Sequence, residues 1–254
     1  DQDLRAENPT SGIKEPFEEM TYGVTLGGPI IRDTLFFFLN YEQFDRTAQA
    51  GDPGFYPDPA DIARIQARSL ELGFDPGTFR TVSATQEEEK ILAKIDWNIT
   101  RDHRFSIRYD QNQGNQPDFG EYTDYSSSRS ETALTSHFFT DDRKVTTFVA
   151  ELNSFWTDSL QSQVRYGNTD IKKVPQLQLP YFPEIEVKGV SGITQGGSVT
   201  DRGEIFFGTE DSRQSNSLES QIENMLINFD YYLNEWTFSA GIDSEKSKFD
   251  NLFL

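Results

Sequence analysis

The chain has 254 residues, no cysteine and a formal net charge of -19. That excess of carboxylates argues against nucleic-acid partners, which need a basic footprint. The lack of cysteine excludes disulfides, thiolate zinc sites and thiol catalysis.

Aromatic residues make up 13% of the chain although its mean hydropathy is -0.63. Apolar residues are therefore gathered in short stretches between polar connections. No run approaches the ~20 apolar residues of a membrane helix. Spanning strands, whose signal is alternation over about ten residues, stay open. Asp1 is followed by no signal peptide, and Leu254 ends the chain without a closing turn. We read it as an internal piece of a longer protein.

Residues 1–20 are polar, with Asn8-Pro9 and Glu15-Pro16, and read as a loop. Tyr22, Val24 and Leu26 then share one face of an extended segment. After Gly27-Gly28-Pro29, alternation resumes with Leu35, Phe37, Leu39 and Tyr41, which predicts a hairpin turning at the Gly-Gly-Pro stretch. Residues 45–86 form a long connection in which Asp58 caps a short helix begun by Pro59 and ended by Gly73.

Ile91, Ala93, Ile95 and Trp97 begin a second hairpin, which turns at residues 98–102 and returns through Phe105, Ile107 and Tyr109. Two registers keep its faces matched. Setting Asp96 opposite Arg104 and Lys90 opposite Asp110 pairs opposite charges, whereas the other sets Lys94 opposite Arg108, so the first is expected. Residues 111–144 are a polar connection. Thr146, Phe148, Ala150 and Leu152 form a third hairpin with Leu160, Val164 and Tyr166. Residues 168–220 are the longest connection. The fourth hairpin runs through Met225, Ile227, Phe229 and Tyr231, turns at Asn234-Glu235 and returns through Trp236, Phe238, Ala240 and Ile242.

Short turns at one end and long connections at the other are the mark of an outer-membrane barrel. Each strand has one apolar face, for hydrocarbon, and one face of Lys, Arg, Asp, Asn, Gln and Ser, for the lumen. Lipid satisfies no backbone donor, so such strands must pair around a circle. Trp97, Trp156 and Trp236 lie beside the short turns, where an interfacial girdle belongs. The expected fold is all-β: an antiparallel up-and-down transmembrane barrel, partial, with about eight strands as four hairpins. Leu35, Phe37, Leu39, Ile95, Ile107, Phe148, Val164, Phe229 and Phe238 are expected to share the outward face.

The run from Tyr22 through Gly27-Gly28-Pro29-Ile30-Ile31-Arg32-Asp33 to Glu42 resembles a signature of TonB-dependent outer-membrane receptors of the Oar-like group. The stretches from Lys94 to Tyr109, Asp3 to Pro9 and Ala150 to Ser154 are similar to neighbouring parts of that family. The resemblance implies energy-coupled uptake of a scarce ligand, with residues 1–254 as the N-terminal part of the barrel. It implies outer-membrane lipid, an extracellular peptide or glycan, and an inner-membrane energy-coupling protein as partners. The family's plug and coupling box are missing from this stretch. The other class considered is a secreted soluble β domain that binds glycan or protein.

No catalytic constellation stands out. His103 and His137 lack a nucleophile or a metal-binding spacing and read as solvated, and the Gly-Gly pairs lack the Lys-Ser/Thr of a phosphate loop. Asp52, Asp58, Asp61 and Asp75 match no EF-hand and read as a solvated acidic loop. Glu87-Glu88-Glu89 marks an extracellular rim. No enzyme, cofactor or metal is expected. The candidate ligand-binding residues are the loop aromatics Phe55, Tyr56, Phe119, Tyr122, Tyr125, Tyr181 and Phe182, which could stack on sugars or grip peptide side chains. The competing reading packs them loop against loop.

Overall fold

Residues 17–49, 54–79, 83–118, 130–177, 181–194, 196–210 and 216–252 are described by the structure, a computed structural model. In chain order the elements are β1 (Phe17–Ile31), β2 (Leu35–Gln49), β3 (Phe55–Pro57), α1 (Pro59–Glu71), β4 (Ser83–Asn98), β5 (His103–Asp118), β6 (Glu131–Ala133), a 3-10 turn (Thr135–His137), β7 (Phe139–Thr157), β8 (Leu160–Leu177), β9 (Ile185–Thr194), β10 (Val199–Phe207), β11 (Ser217–Leu233) and β12 (Trp236–Leu252). The eight long strands form one antiparallel sheet ordered β1-β2-β4-β5-β7-β8-β11-β12. Among the described residues β1 and β12 each have one neighbour.

Registers carry the apolar rows across the sheet. Leu39 faces Leu26 and Ala93, Phe37 faces Ile95, Ile95 faces Ile107, and Ile107 faces Ala150. The rows continue through Phe148 opposite Tyr109, Val164 opposite Leu152 and Ile227, Phe229 opposite Ala240 and Phe238 opposite Tyr231. All nine expected residues thus share one face. Leu39, Ile95, Phe148, Val164, Phe229 and Phe238 are exposed, and Leu35, Phe37 and Ile107 are half-buried beside their neighbours. Among the described residues no second sheet covers them, as a soluble sandwich would require. From Leu35 to Tyr41 the apolar row covers roughly 20 Å of strand at about 3.3 Å per residue.

Trp97 faces Phe105 and Trp236 faces Leu233 at the turn end of this surface. Trp156 stands in a break in the β7–β8 register, with its Nε1 donating to Ser162 Oγ at 2.8 Å and its ring 5.0 Å from His103. Three indoles at one end of an apolar band form the expected girdle.

The opposite face carries Phe36 and Phe38 on β2 but is otherwise mostly polar, and ion pairs lace it along and across its strands. Lys94 bonds Asp96 at 2.8 Å, Arg108 bonds Asp110 at 2.7 Å and Lys90 bonds Glu42 at 2.9 Å. The structure overturns the register expected for the second hairpin, since Lys94 lies directly opposite Arg108, and Asp96 faces Ser106 instead of Arg104. Lys94 and Arg108 each take their own strand's carboxylate two residues on, so the like pair is neutralised without cross-strand help. The turn also constrains the choice: Thr100 Oγ1 accepts from both Asp102 N and His103 N at 3.1 Å, closing the loop so that Asn98 pairs with Arg104.

The first turn also differs from expectation. Pro29 lies inside β1, and the chain reverses at residues 32–34, where Asp33 takes a φ of 60° and Thr34 N donates to Ile31 O at 3.1 Å. Pro29 is tolerated because the β1–β2 ladder is irregular between Pro29 and Ile31, where a missing donor breaks no regular ladder bond.

The strands are 15 to 19 residues long, beyond the ~9–11 that cross a bilayer. They run well into the stretches read as connections: β5 reaches Asp118, β8 reaches Leu177 and β7 starts at Phe139. Above the apolar band apolar residues are scattered, as at Val145, Ile171 and Val174, so alternation fades while strand pairing continues.

Candidate functional site

The three long connections build a second body. β3 and α1 come from the first, β6 and the 3-10 turn from the second, and β9 and β10 from the third. Their strands form a four-stranded sheet ordered β3-β9-β10-β6, antiparallel except for the parallel β10–β6 pair. We call this body the cap.

Helix α1 starts where predicted. Asp58 accepts from Ala60 N at 2.8 Å, Pro59 fills the first turn, and Gly73 beyond the helix end takes a φ of 87°. Its Ile62 and Ile65 pack against a core of Phe55, Leu134, Phe182, Val190, Ile205 and Phe207. The core therefore draws on all three connections, none of which has enough apolar surface to fold alone.

The connections are tied at Thr135–His137. Thr135 N donates to Thr78 O at 3.1 Å, and Thr78 N donates to Thr135 Oγ1 at 2.9 Å. Ser136 Oγ donates to Pro76 O at 2.8 Å and accepts from Gly208 N at 2.9 Å. His137 is fully buried, its Nδ1 3.3 Å from Gly208 O and 3.9 Å from Glu184 Oε2. This corrects the solvated reading of His137. The adjacent Phe138 and Phe139 are buried and carry the ring inside with them.

The sequence-predicted aromatics divide. Phe55 and Phe182 are core residues, Phe182 stacking on Phe74 with centroids 5.2 Å apart. Tyr56 is half-buried, edge-on to Phe79 at 6.5 Å. Tyr181 is 75% exposed, next to the buried Phe182 that anchors it. Phe119, Tyr122 and Tyr125 lie outside the described residues. Reading the sequence for exposed aromatics missed Leu134, His137 and Ile205–Phe207. The signal that could have found them is apolar clustering: Ala133-Leu134, Phe138-Phe139 and Ile205-Phe206-Phe207 are dense apolar runs within polar connections.

The acidic loop residues have structural partners. Asp61 pairs with Arg64 and accepts from Ser191 N, and Asp75 accepts from Gly77 N at 2.9 Å. Asp52 lies outside the described residues. Among the described residues no group of three or more metal-ligating side chains comes together.

On the cap sheet Lys188 bonds Glu186 at 2.9 Å and reaches Glu204 at 3.9 Å. Burial, then a hydrogen bond with Glu186, pushes the Glu204 carboxyl above its ordinary value, and Lys188 opposes that. A raised carboxyl contributes stability that is complete below its unfolded value of about 4.5 and is lost as pH rises through the folded value. The cap amides of β9 and β10 are thus expected to exchange more slowly near pH 4.5 than near pH 7, after correction for intrinsic rates. Glu204→Gln should flatten that difference. Equal pH dependence in both proteins would show the carboxyl pair to be without weight.

Residues 1–63 match the family model of an outer membrane beta barrel domain. The matched stretch holds β1, β2, β3 and the start of α1, so it joins wall and cap. This sheet is the wall of an outer-membrane β-barrel. The apolar face meets lipid, the laced polar face meets the lumen, and the cap stands at the end opposite the short turns. Comparison with curated proteins and with solved structures returned no match.

Proposed function

We propose that this chain is the N-terminal part of the barrel of an energy-coupled uptake receptor of the TonB-dependent, Oar-like type. In this reading its cap selects an oligopeptide or glycan. The observation that carries it is the cap itself. Ordering three long connections around one core costs conformational entropy that closing a barrel does not require. Loops of this length ask for a functional reason. The run from Tyr22 to Glu42, resembling the receptor signature, supports the same class.

The cap core is filled by Phe55 and Phe182, so selection passes to exposed groups anchored on it, Tyr181 first. An exposed phenol beside a fixed phenyl is a rigid stacking platform with low entropy cost. The acidic chain favours cationic or neutral ligands over anionic ones.

The test uses cells carrying the intact receptor, with a tritiated oligopeptide pool and a tritiated oligosaccharide pool as probes. Uptake of one pool is expected to stop when a protonophore collapses the inner-membrane gradient, while surface binding persists. Tyr181→Ala should weaken that binding about tenfold, the loss of ~1.4 kcal/mol. Uptake indifferent to the protonophore would exclude energy coupling. Unchanged binding in Tyr181→Ala would move selection off this face of the cap.

A further inference from the structure

Above its apolar band the lipid-side face of the wall changes character, and it does so unevenly. On β2, β4 and β5 that face continues through Gln43, Asp45, Glu87, Glu89, Gln111 and Gln113, without a cation. On β7, β8 and β12 the same face carries Lys144, Lys172, Lys246 and Lys248. A chain with only 23 Lys and Arg among 254 residues places four of them on one arc.

Their arrangement is costly without an occupant. Lys144 lies directly opposite Lys172, and like charges across a ladder repel. Lys172 is compensated by Glu219, 2.5 Å away. Among the described residues Lys144, Lys246 and Lys248 have no ion-pair partner. Lys144, Lys172 and Lys248 line a hollow of about 790 Å³, together with Asp170, Glu219 and Asp250. Those carboxylates keep the arc near neutral. What the hollow offers an anion is therefore the geometry of a lysine pair and not a general positive field.

The height identifies the anion. Lys144 lies four residues beyond Phe148 and Lys172 six beyond Tyr166. At about 3.3 Å per residue and a strand tilt near 40°, that is roughly 10–15 Å above the Phe148 and Tyr166 side chains, where the continuous apolar band ends. Lysine stems bend back toward a membrane surface while keeping the ammonium in the polar layer. The outer leaflet presents phosphorylated glycolipid at this level, and clustered lysines beside a membrane recognise anionic headgroups.

We propose that Lys144, Lys172 and Lys248 bind the phosphates of an outer-leaflet glycolipid, so that one lipid class is held on the β7–β12 arc and not on the β2–β5 arc. This reading depends on the wall's place in the outer membrane and is independent of what the cap selects. The site orders lipid against one side of the barrel and fixes the wall's height in the bilayer.

The test takes the intact protein, extracted from outer membranes and stripped of lipid, and titrates it with bisphosphorylated lipid A in detergent, read by native mass spectrometry. Lys144→Gln with Lys172→Gln should lower affinity at least tenfold. Thr47→Ala with Thr85→Ala, a facing pair on β2 and β4 away from the lysines, should leave it unchanged. Heat-modifiable gel mobility reports whether each variant assembles. Should the double variant not assemble, Lys248→Gln alone is expected to lower affinity about threefold. Dephosphorylated lipid A should bind the parent as weakly as bisphosphorylated lipid A binds the variant. Unchanged affinity in the lysine variants, or equal binding of the dephosphorylated lipid, would overturn the proposal. Displacement of lipid by millimolar inorganic phosphate would overturn it too, by showing a free-anion site.

Discussion

Truncating Phe55 to alanine is expected to unfold the cap and leave the wall standing. The Phe55 ring is fully buried among Leu134, Phe182, Val190, Ile205 and Phe207. It lies against two glycines: a Cβ added at Gly203 would come within 2.1 Å of the ring, and one at Gly192 within 2.4 Å of Tyr56 O and 2.6 Å of the ring. Both positions have been left without side chains to admit the phenyl, so nothing nearby can close the void. Phe→Ala in such a site costs about 3–5 kcal/mol. A core this small supplies net stability of about the same size, so the loss is comparable to the whole. Proteolysis should then cut within 54–79 and 181–210, which the parent protects, while heat-modifiable mobility of the barrel persists. Gly203→Val makes the reciprocal test by pushing a branched side chain into the ring. A cap that resists protease in both variants would show that Phe55 is not its keystone.

This result would also separate two roles that a binding assay alone confuses. Removing Phe55 should abolish ligand binding by dissolving the body that presents Tyr181. Removing Tyr181 should weaken binding with the cap intact. Only the second bears on what the ligand touches.

The wall was legible in the sequence because lipid imposes period two. Where Leu35, Phe37, Leu39 and Tyr41 face hydrocarbon, every second residue must be apolar, and the alternation marks the strand and its face together. Beyond the band that constraint ends. Gln111, Gln113 and Asn115 continue β5 with polar side chains of their own, so the strand carries no apolar alternation to mark it. Gly27-Gly28-Pro29 misled for a related reason. Those residues carry a turn composition, yet the ladder is irregular between Pro29 and Ile31, so Pro29 fits inside β1. Register was the weakest inference, because it weighed cross-strand charge alone. Lys94 and Arg108 meet carboxylates along their own strands.

The cap was partly legible. Asp58, Pro59 and Gly73 are local signals that bracket α1, and they were read correctly. The core is not local. Phe55, Leu134 and Ile205 are far apart in the chain, and each belongs to a short apolar run in a different polar connection. Nothing in a linear pattern says that three loops share one interior. The parallel pairing of β6 with β10 is invisible for the same reason.

Placing a lysine at Ile107 should cost far more than placing one at its neighbour Ser106, and the contrast tests which face meets lipid. Ile107 lies between Ile95 and Ala150 on the apolar face. A lysine there would set an ammonium against hydrocarbon, at about 2–4 kcal/mol near the bilayer midplane. Ser106 lies between Asp96 and Glu151 on the laced face. A lysine there meets two carboxylates in a polar lumen, and little change in stability is expected. Only one step of chain separates the two positions, so strand propensity and loop closure cancel in the comparison. Denaturant unfolding of the intact barrel in phospholipid vesicles, followed by tryptophan emission, measures both variants against the parent. Trp97 and Trp156 flank this hairpin and report directly on its insertion. A smaller loss for Ile107→Lys than for Ser106→Lys would turn the wall inside out. Equal losses would mean that neither face meets hydrocarbon, and the membrane placement would fall with them.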